Sequence, residues 1–120
     1  MLAHTRAMVA AAAYALVKRQ KVAGLHDHST HRDLDVAAEA RGNQVQGKDG
    51  ERAVMFGGTL PEVFDAGDKT YVSFAIEGDR VTGYDRGTSS HYVAEVTDKR
   101  VQLFDHVDEL WITFDVQVAA

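Results

Sequence analysis

The hydrophobic period of this chain changes once, near Lys21, and that change limits the folds open to it. Before it, an alanine-rich stretch without glycine or proline predicts one helix over residues 2–19, because alanine is the best helix former. After it, apolar and polar residues alternate, which is typical of half-buried strands. The sequence therefore predicts an N-terminal helix followed by a β-rich region over residues 20–118.

The helical stretch has an apolar stripe at three- and four-residue steps. The stripe consists of Leu2, Thr5, Val9, Ala12, Ala13 and Leu16. Arg6, Ala10 and Lys18 fall on the other side of the helix. This pattern predicts a helix that packs one face on a sheet and turns the other to solvent.

Alternation is clearest at Val72, Phe74 and Ile76 and again from Leu110 to Val118. Turn formers separate such runs at short intervals, and short connections indicate antiparallel neighbours. Residues 70–118 are therefore predicted to form a five-strand meander, whereas residues 57–68, with the single proline, are predicted to form a loop with one helical turn. The predicted fold class is α+β, with the helix packed on a curled antiparallel sheet or partly open barrel of seven to eight strands.

An internal repeat recurs in the β-rich region, in which a strand ends in aspartate and a polar turn follows. The related segments are Val45–Asp49, Val81–Asp85, Val101–Asp105 and, more distantly, Leu25–His28. An aspartate at a strand end can accept hydrogen bonds from the amides of the turn. Gly47 and Gly83, inside two copies, leave room for a bulge or for close approach of the N-terminal helix.

Composition excludes several classes of function. A chain of 120 residues fits a single domain over 1–120. No cysteine is present, which removes disulfides, thiolate catalysis and cysteine-based metal sites and makes the cytoplasm the default location. A net charge of −5 argues against nucleic acid as a partner. The apolar run Met8–Val17 is shorter than the roughly 20 residues of a membrane helix, so no membrane association is expected.

The segment from His26 to Asp33 is the strongest candidate for chemistry. His26 and His28 are two residues apart, so on a strand they project from the same face and could share one divalent metal ion. His31 or Asp33 would complete the set of ligands. The alternative is that these polar residues simply occupy a solvent-exposed hairpin end.

Trp111 is the main candidate for contact with a partner. It lies on the opposite side of its strand from Leu110 and Ile112, and aromatic residues are enriched in interface cores. The alternative is that the N-terminal helix covers it. Tyr84 and Arg86, at the end of one repeat, are the other predicted contacts with a ligand or partner.

The sequence therefore favours a non-enzymatic binding or interaction domain, most simply a homodimer, that needs no cofactor. Its small-molecule ligand, if it has one, is left open. The alternative is a metal-dependent enzyme that uses His26, His28 and His31. A bound divalent metal belongs to this second hypothesis.

Overall fold

The computed structural model describes residues 1–119 and begins with a single helix, α1, over Ala3–Lys18. Arg19 ends the helix in the left-handed conformation, and its N–H donates to the carbonyl of Ala15. Lys18 in the last turn complements the negative end of the helix dipole. The helix predicted over residues 2–19 is confirmed within one residue at each end.

Twelve strands follow the helix. They are β1 (Val22–Asp27), β2 (Arg32–Leu34), β3 (Val36–Arg41), β4 (Gln44–Asp49), β5 (Val54–Thr59), β6 (Glu62–Asp65), β7 (Thr70–Ser73), β8 (Ala75–Glu77), β9 (Arg80–Asp85), β10 (Ser90–Thr97), β11 (Arg100–Asp105) and β12 (Leu110–Val118).

Ten of these strands form a closed antiparallel barrel. Around the barrel the order is β1, β3, β4, β5, β6, β7, β9, β10, β11 and β12, and β12 pairs with β1 to close the ring. β2 pairs with β1 and β8 pairs with β9 as extra strands. The expectation of a helix on an antiparallel sheet is confirmed, but the predicted seven to eight strands and partial opening are wrong.

Two local misreadings explain the low strand count. The region predicted as a loop contains the second half of β5 and all of β6, and these strands pair through Phe56 with Asp65 and Gly57 with Phe64. The predicted five-strand meander has six strands, because the run from residue 71 to 76 is interrupted at Phe74. The Phe74 N–H donates to the carbonyl of Pro61 at 2.7 Å instead of to a neighbouring strand.

Helix α1 is enclosed by the barrel and does not lie with one face in water. All residues from Ala7 to Leu16 are buried, including Ala10, which was predicted to face solvent and is 0% exposed. The helix contacts β1, β3 and β4 as well as β10, β11 and β12. A helix that is apolar all round has to be buried all round, and its alanines make it narrow enough to fit. Within residues 1–119, no helix has the length and hydropathy needed to cross a bilayer.

Aromatic rings fill the space beside the helix, and two glycines of the repeat make room for them. A Cβ at Gly47 would overlap the ring of Phe56, and one at Gly83 would overlap the Ser73 carbonyl and the Tyr92 ring. The close approach predicted at these glycines is therefore made by aromatic side chains and not by the helix. The Tyr92 hydroxyl donates to the Ser73 carbonyl at 2.8 Å. Burial, together with the charge of Asp85, raises the pKa of Tyr92 well above its ordinary value.

Candidate functional site

The aspartate repeat forms the same turn five times. In each turn the aspartate Oδ1 accepts the N–H of the residue two positions later at 2.8–3.0 Å, and the fourth residue after the aspartate has φ between 53° and 56°. The aspartates are Asp27, Asp49, Asp65, Asp85 and Asp105. Their predicted role as hydrogen-bond acceptors in turns is confirmed. The copy at Asp65 escaped notice because it follows Pro61 and contains no strand glycine.

Four of these aspartates, Asp49, Asp65, Asp85 and Asp105, are buried, and cationic groups from the start of the chain reach Asp105. The α-amino group of Met1 lies 2.8 Å from Asp105, and the Arg6 guanidinium lies 3.2 Å from the same carboxylate. Burial by itself would raise the pKa of Asp105. Hydrogen bonds from the amino group and from the amides of Val107 and Asp108 outweigh that effect, so the pKa is lowered. This end of the barrel is therefore held by buried ion pairs.

Arg52 joins three carboxylates at the same end of the barrel. Its guanidinium contacts Asp49 at 2.6 Å, Asp65 at 2.9 Å and Asp68 at 3.5 Å. Partial burial by itself would lower the pKa of Arg52, but its hydrogen bonds to Asp49 and Asp65 and the charges of these carboxylates raise it. His4, Asp65 and Asp68 bring three donor atoms within 4.8 Å of one another, a spacing that could suit a metal ion. Arg52 already supplies the positive charge at that point.

The structure brings three of the four predicted metal ligands together on the outside of the barrel. His26 Nδ1 lies 2.8 Å from Asp33 Oδ1, across the β1–β2 pair. His28 Nε2 lies 2.8 Å from Asp115 Oδ2 on β12. The two imidazole ring centres are 5.5 Å apart, with ring planes at 73°. His31 stands apart, at the left-handed position that ends this turn, with φ 54°.

Asp115 was not singled out from the sequence, although it holds this group together. Its Oδ1 accepts from Arg100 Nε at 2.9 Å, while Oδ2 faces His28. The hydrogen bond with His28 lowers the pKa of Asp115 more than its slight burial raises it, and Arg100 adds to the lowering. Only the pairing of β1 with β12 brings the two ends of the β-rich region together here, so no local pattern could have indicated this contact.

A groove of about 500 Å³ lies beside His26. Its lining includes four carboxylates, which are Asp33, Asp35, Glu51 and Asp115. Arg32 pairs with Glu51 and Arg100 pairs with Asp115, so two of the four carboxylates have arginine partners. The groove has the charge expected of a surface that attracts cations.

Of the predicted partner contacts, Tyr84 lies on β9, Arg86 in the turn after β9, and Trp111 on β12, three strands further around the barrel. Trp111 is 55% exposed, so the helix does not cover it. Leu110, predicted to face inward, is also exposed, because it begins β12 directly after the turn. Arg86 forms an ion pair with Glu62.

These contacts belong to a longer aromatic strip that follows the outside of the barrel. The aromatic strip consists of Phe64, Tyr71, Tyr84, His91, His106, Phe104 and Trp111. Ring centres within it lie 4.7–5.2 Å apart in the pairs Phe64–Tyr71, Tyr84–His91, Phe104–His106 and Phe104–Trp111. Backbone hydrogen bonds from Arg86 to Tyr71 and from His106 to His91 connect the strands that carry these groups, so the rings lie on or beside six consecutive strands of the barrel.

Five members of the aromatic strip were missed in the sequence. Phe64, Phe104 and His106 are sequence neighbours of a repeat aspartate, and Tyr71 and His91 lie on the strand that follows one. The repeat therefore indicates these positions only indirectly. The aromatic at the position before the aspartate recurs as Phe64, Tyr84 and Phe104. Aligning the copies on their aspartates would have exposed this recurrence.

A second, larger groove of about 750 Å³ crosses the outside of β3 to β6. Gln46, Met55, Gly57 and Phe64 are among the residues that line it. Arg41, which also lines it, has no hydrogen-bond or ion-pair partner within residues 1–119. The groove offers room beside the strip for a small molecule.

No protein-family model matches this chain, and comparisons with curated proteins and with solved structures found no match.

Proposed function

We propose that this domain is a non-enzymatic binding module that pairs with a second copy of itself through the aromatic strip. The observation that carries the proposal is that contacting aromatic rings recur on six consecutive strands of the outer surface, with Trp111 and Tyr71 about half exposed. Tyrosine and tryptophan are enriched in interface cores, and a continuous aromatic surface is costly to leave in water.

The filled interior supports a binding surface on the outside. Helix α1 and aromatic residues such as Phe56 and Tyr92 occupy the barrel, so its inner face is not open to a ligand. A ligand or partner would therefore meet outward-facing side chains. The strip is the surface where such side chains are aromatic on adjacent strands.

Sedimentation velocity over a wide range of protein concentration tests this proposal. Wild-type protein is expected to form a dimer, and Trp111→Ser should weaken it by a factor of about 30 or more, the loss typical of a hot-spot residue. Ile76→Ser is the matched control, because Ile76 is also an exposed apolar residue but lies on β8, outside the strip. A wild-type protein that stays monomeric, or a dimer that Trp111→Ser leaves intact, would contradict the proposal.

A further inference from the structure

We infer that His26 and His28 together bind one Zn²⁺ ion, with Asp33 and Asp115 as positioning residues that do not touch the metal. This inference does not depend on self-association, because neither histidine belongs to the aromatic strip. It also changes the role predicted from the sequence for Asp33, which becomes the partner of a ligand, and it leaves out His31.

The geometry of the two rings suits a shared ion. His26 and His28 project from the same outer face at the end of β1, with ring centres 5.5 Å apart. Imidazole nitrogens bind Zn²⁺ at about 2.0–2.1 Å, which puts the ring centres of two histidine ligands on a tetrahedral ion roughly 5 Å apart. The observed spacing of the ring centres is close to this value, so a shared ion requires the two surface side chains to turn their free nitrogens toward it.

The carboxylates leave one nitrogen of each ring free. Asp33 engages Nδ1 of His26, so Nε2 is available to a metal ion. Asp115 engages Nε2 of His28, so Nδ1 is available. Histidines that ligate metals usually donate their other ring N–H to a carboxylate, which fixes the tautomer and makes the free nitrogen more basic. Both histidines have this partner before any metal binds.

Three different strands hold the two rings. β1 carries His26 and the turn directly after it carries His28, while β2 carries Asp33 and β12 carries Asp115. Arg100 on β11 fixes the second oxygen of Asp115. The side chains of His26 and His28 are 41% and 42% exposed, which leaves room for water to fill the remaining coordination positions. The acidic groove beside His26 favours the approach of a cation.

Isothermal titration of untagged protein with Zn²⁺ alone, in a buffer that does not chelate metals, tests the inference. We expect one ion per chain for wild type, and at least tenfold weaker binding for His26→Ala and for His28→Gln. Glutamine at position 28 keeps an amide donor for Asp115 but removes the ligand, so it separates loss of metal binding from loss of the hydrogen bond. His31→Ala is the matched control, since it changes a histidine of the same turn and should bind Zn²⁺ as wild type does.

Asp33→Asn and Asp115→Asn test the positioning role. Removing such a partner typically weakens metal affinity by about 10–100-fold without abolishing binding. Nitrogen NMR of the imidazoles gives a second readout, because the free protein should show a proton on Nδ1 of His26 and on Nε2 of His28, and Zn²⁺ should shift the other nitrogen of each ring. A merely structural ion pair would show no such shift.

Three results would overturn the inference. The first is the absence of binding to wild type even at millimolar Zn²⁺. The second is a binding constant that His26→Ala and His28→Gln leave unchanged while thermal unfolding shows both variants folded. The third is a loss for His31→Ala as large as that for His28→Gln, which would restore the ligand set predicted from the sequence.

Discussion

At the scale of single residues, Arg52 is the cation that neutralises two of the four buried aspartates. Asp49 and Asp65 are each 1% exposed, and both direct an oxygen at its guanidinium. Arginine suits this position because its planar group offers several donors in a fixed arrangement, whereas lysine offers one point charge. The cluster links the turn after β4 to the turn after β6, so a local substitution acts on two parts of the barrel rim.

Arg52→Met should therefore destabilise the protein strongly. It keeps much of the apolar stem but leaves two buried carboxylates without their cation, and removing one partner of a buried pair typically costs about 3–5 kcal/mol. Because the Arg52 side chain is 21% exposed, we expect the lower end of that range. Urea unfolding measures the loss. Arg80→Met, which breaks an exposed pair with Glu95, should cost under about 1 kcal/mol, and equal losses for the two variants would contradict this account.

The residue types in the sequence indicated which side chains could bind a metal ion, but not which side chains contact one another in the folded protein. The pair His26 and His28 stood out because a two-residue spacing has a fixed meaning on a strand. Arg52 did not stand out, because charged residues such as Glu51 and Arg52 are common in the turns of any β protein. What distinguishes Arg52 is the burial of the aspartates around it, and burial is a property of the assembled barrel. The predicted cytoplasmic location stays a prediction.

At the scale of elements, the sequence predicts helices and strands well wherever apolar residues keep one regular spacing without interruption. Alanine content identified α1, and alternation identified β12 almost to its ends. Strands β5 and β6 were missed because Gly57, Gly58 and Pro61 are typical of loops, yet here the glycines let the backbones of β4, β5 and β6 approach closely. The stripe on α1 was misleading, since alanine is small enough to be buried on any side of a helix.

The enclosure of α1 makes a prediction at this scale. Ala10→Leu adds volume on the side of the helix that the sequence pattern assigned to solvent, and Ala10 is 0% exposed. Leucine is nearly as good a helix former as alanine, so any loss reports packing, and overpacking a close-packed interior typically costs about 1–3 kcal/mol. Thermal and urea unfolding check the value. Ala75→Leu on the exposed face of β8 is the control and should change stability by less than about 0.5 kcal/mol.

At the scale of the whole molecule, closure depends on one contact that no local pattern contains. β3 to β12 follow one another around the ring in chain order, apart from the extra strand β8, and the last strand then pairs with the first. Leu25 lies opposite Val116, far away in the chain. Alternation reports which face of a strand is buried, but it does not report whether a curled sheet meets its own edge. A partly open barrel was therefore as much as the sequence could support.

Closure around a helix predicts that α1 is among the last parts of the molecule to exchange its amide hydrogens. Solvent reaches the amides of Ala7 to Leu16 only when the barrel opens, and every route to them passes through paired strands. Native-state hydrogen exchange should give these amides an opening free energy equal to that of global unfolding, measured by urea under the same conditions. The extra strands β2 and β8 lie outside the ring and should exchange through smaller openings.

A different result would contradict this prediction. If the helix amides showed an opening free energy well below that of global unfolding while the strands stayed protected, α1 would be able to leave a barrel that remains intact. Helix and barrel would then unfold as two separate cooperative units. That result would contradict the hydrogen bonds of Tyr14 on the helix, whose hydroxyl donates to Gln20 and accepts the backbone N–H of Lys99.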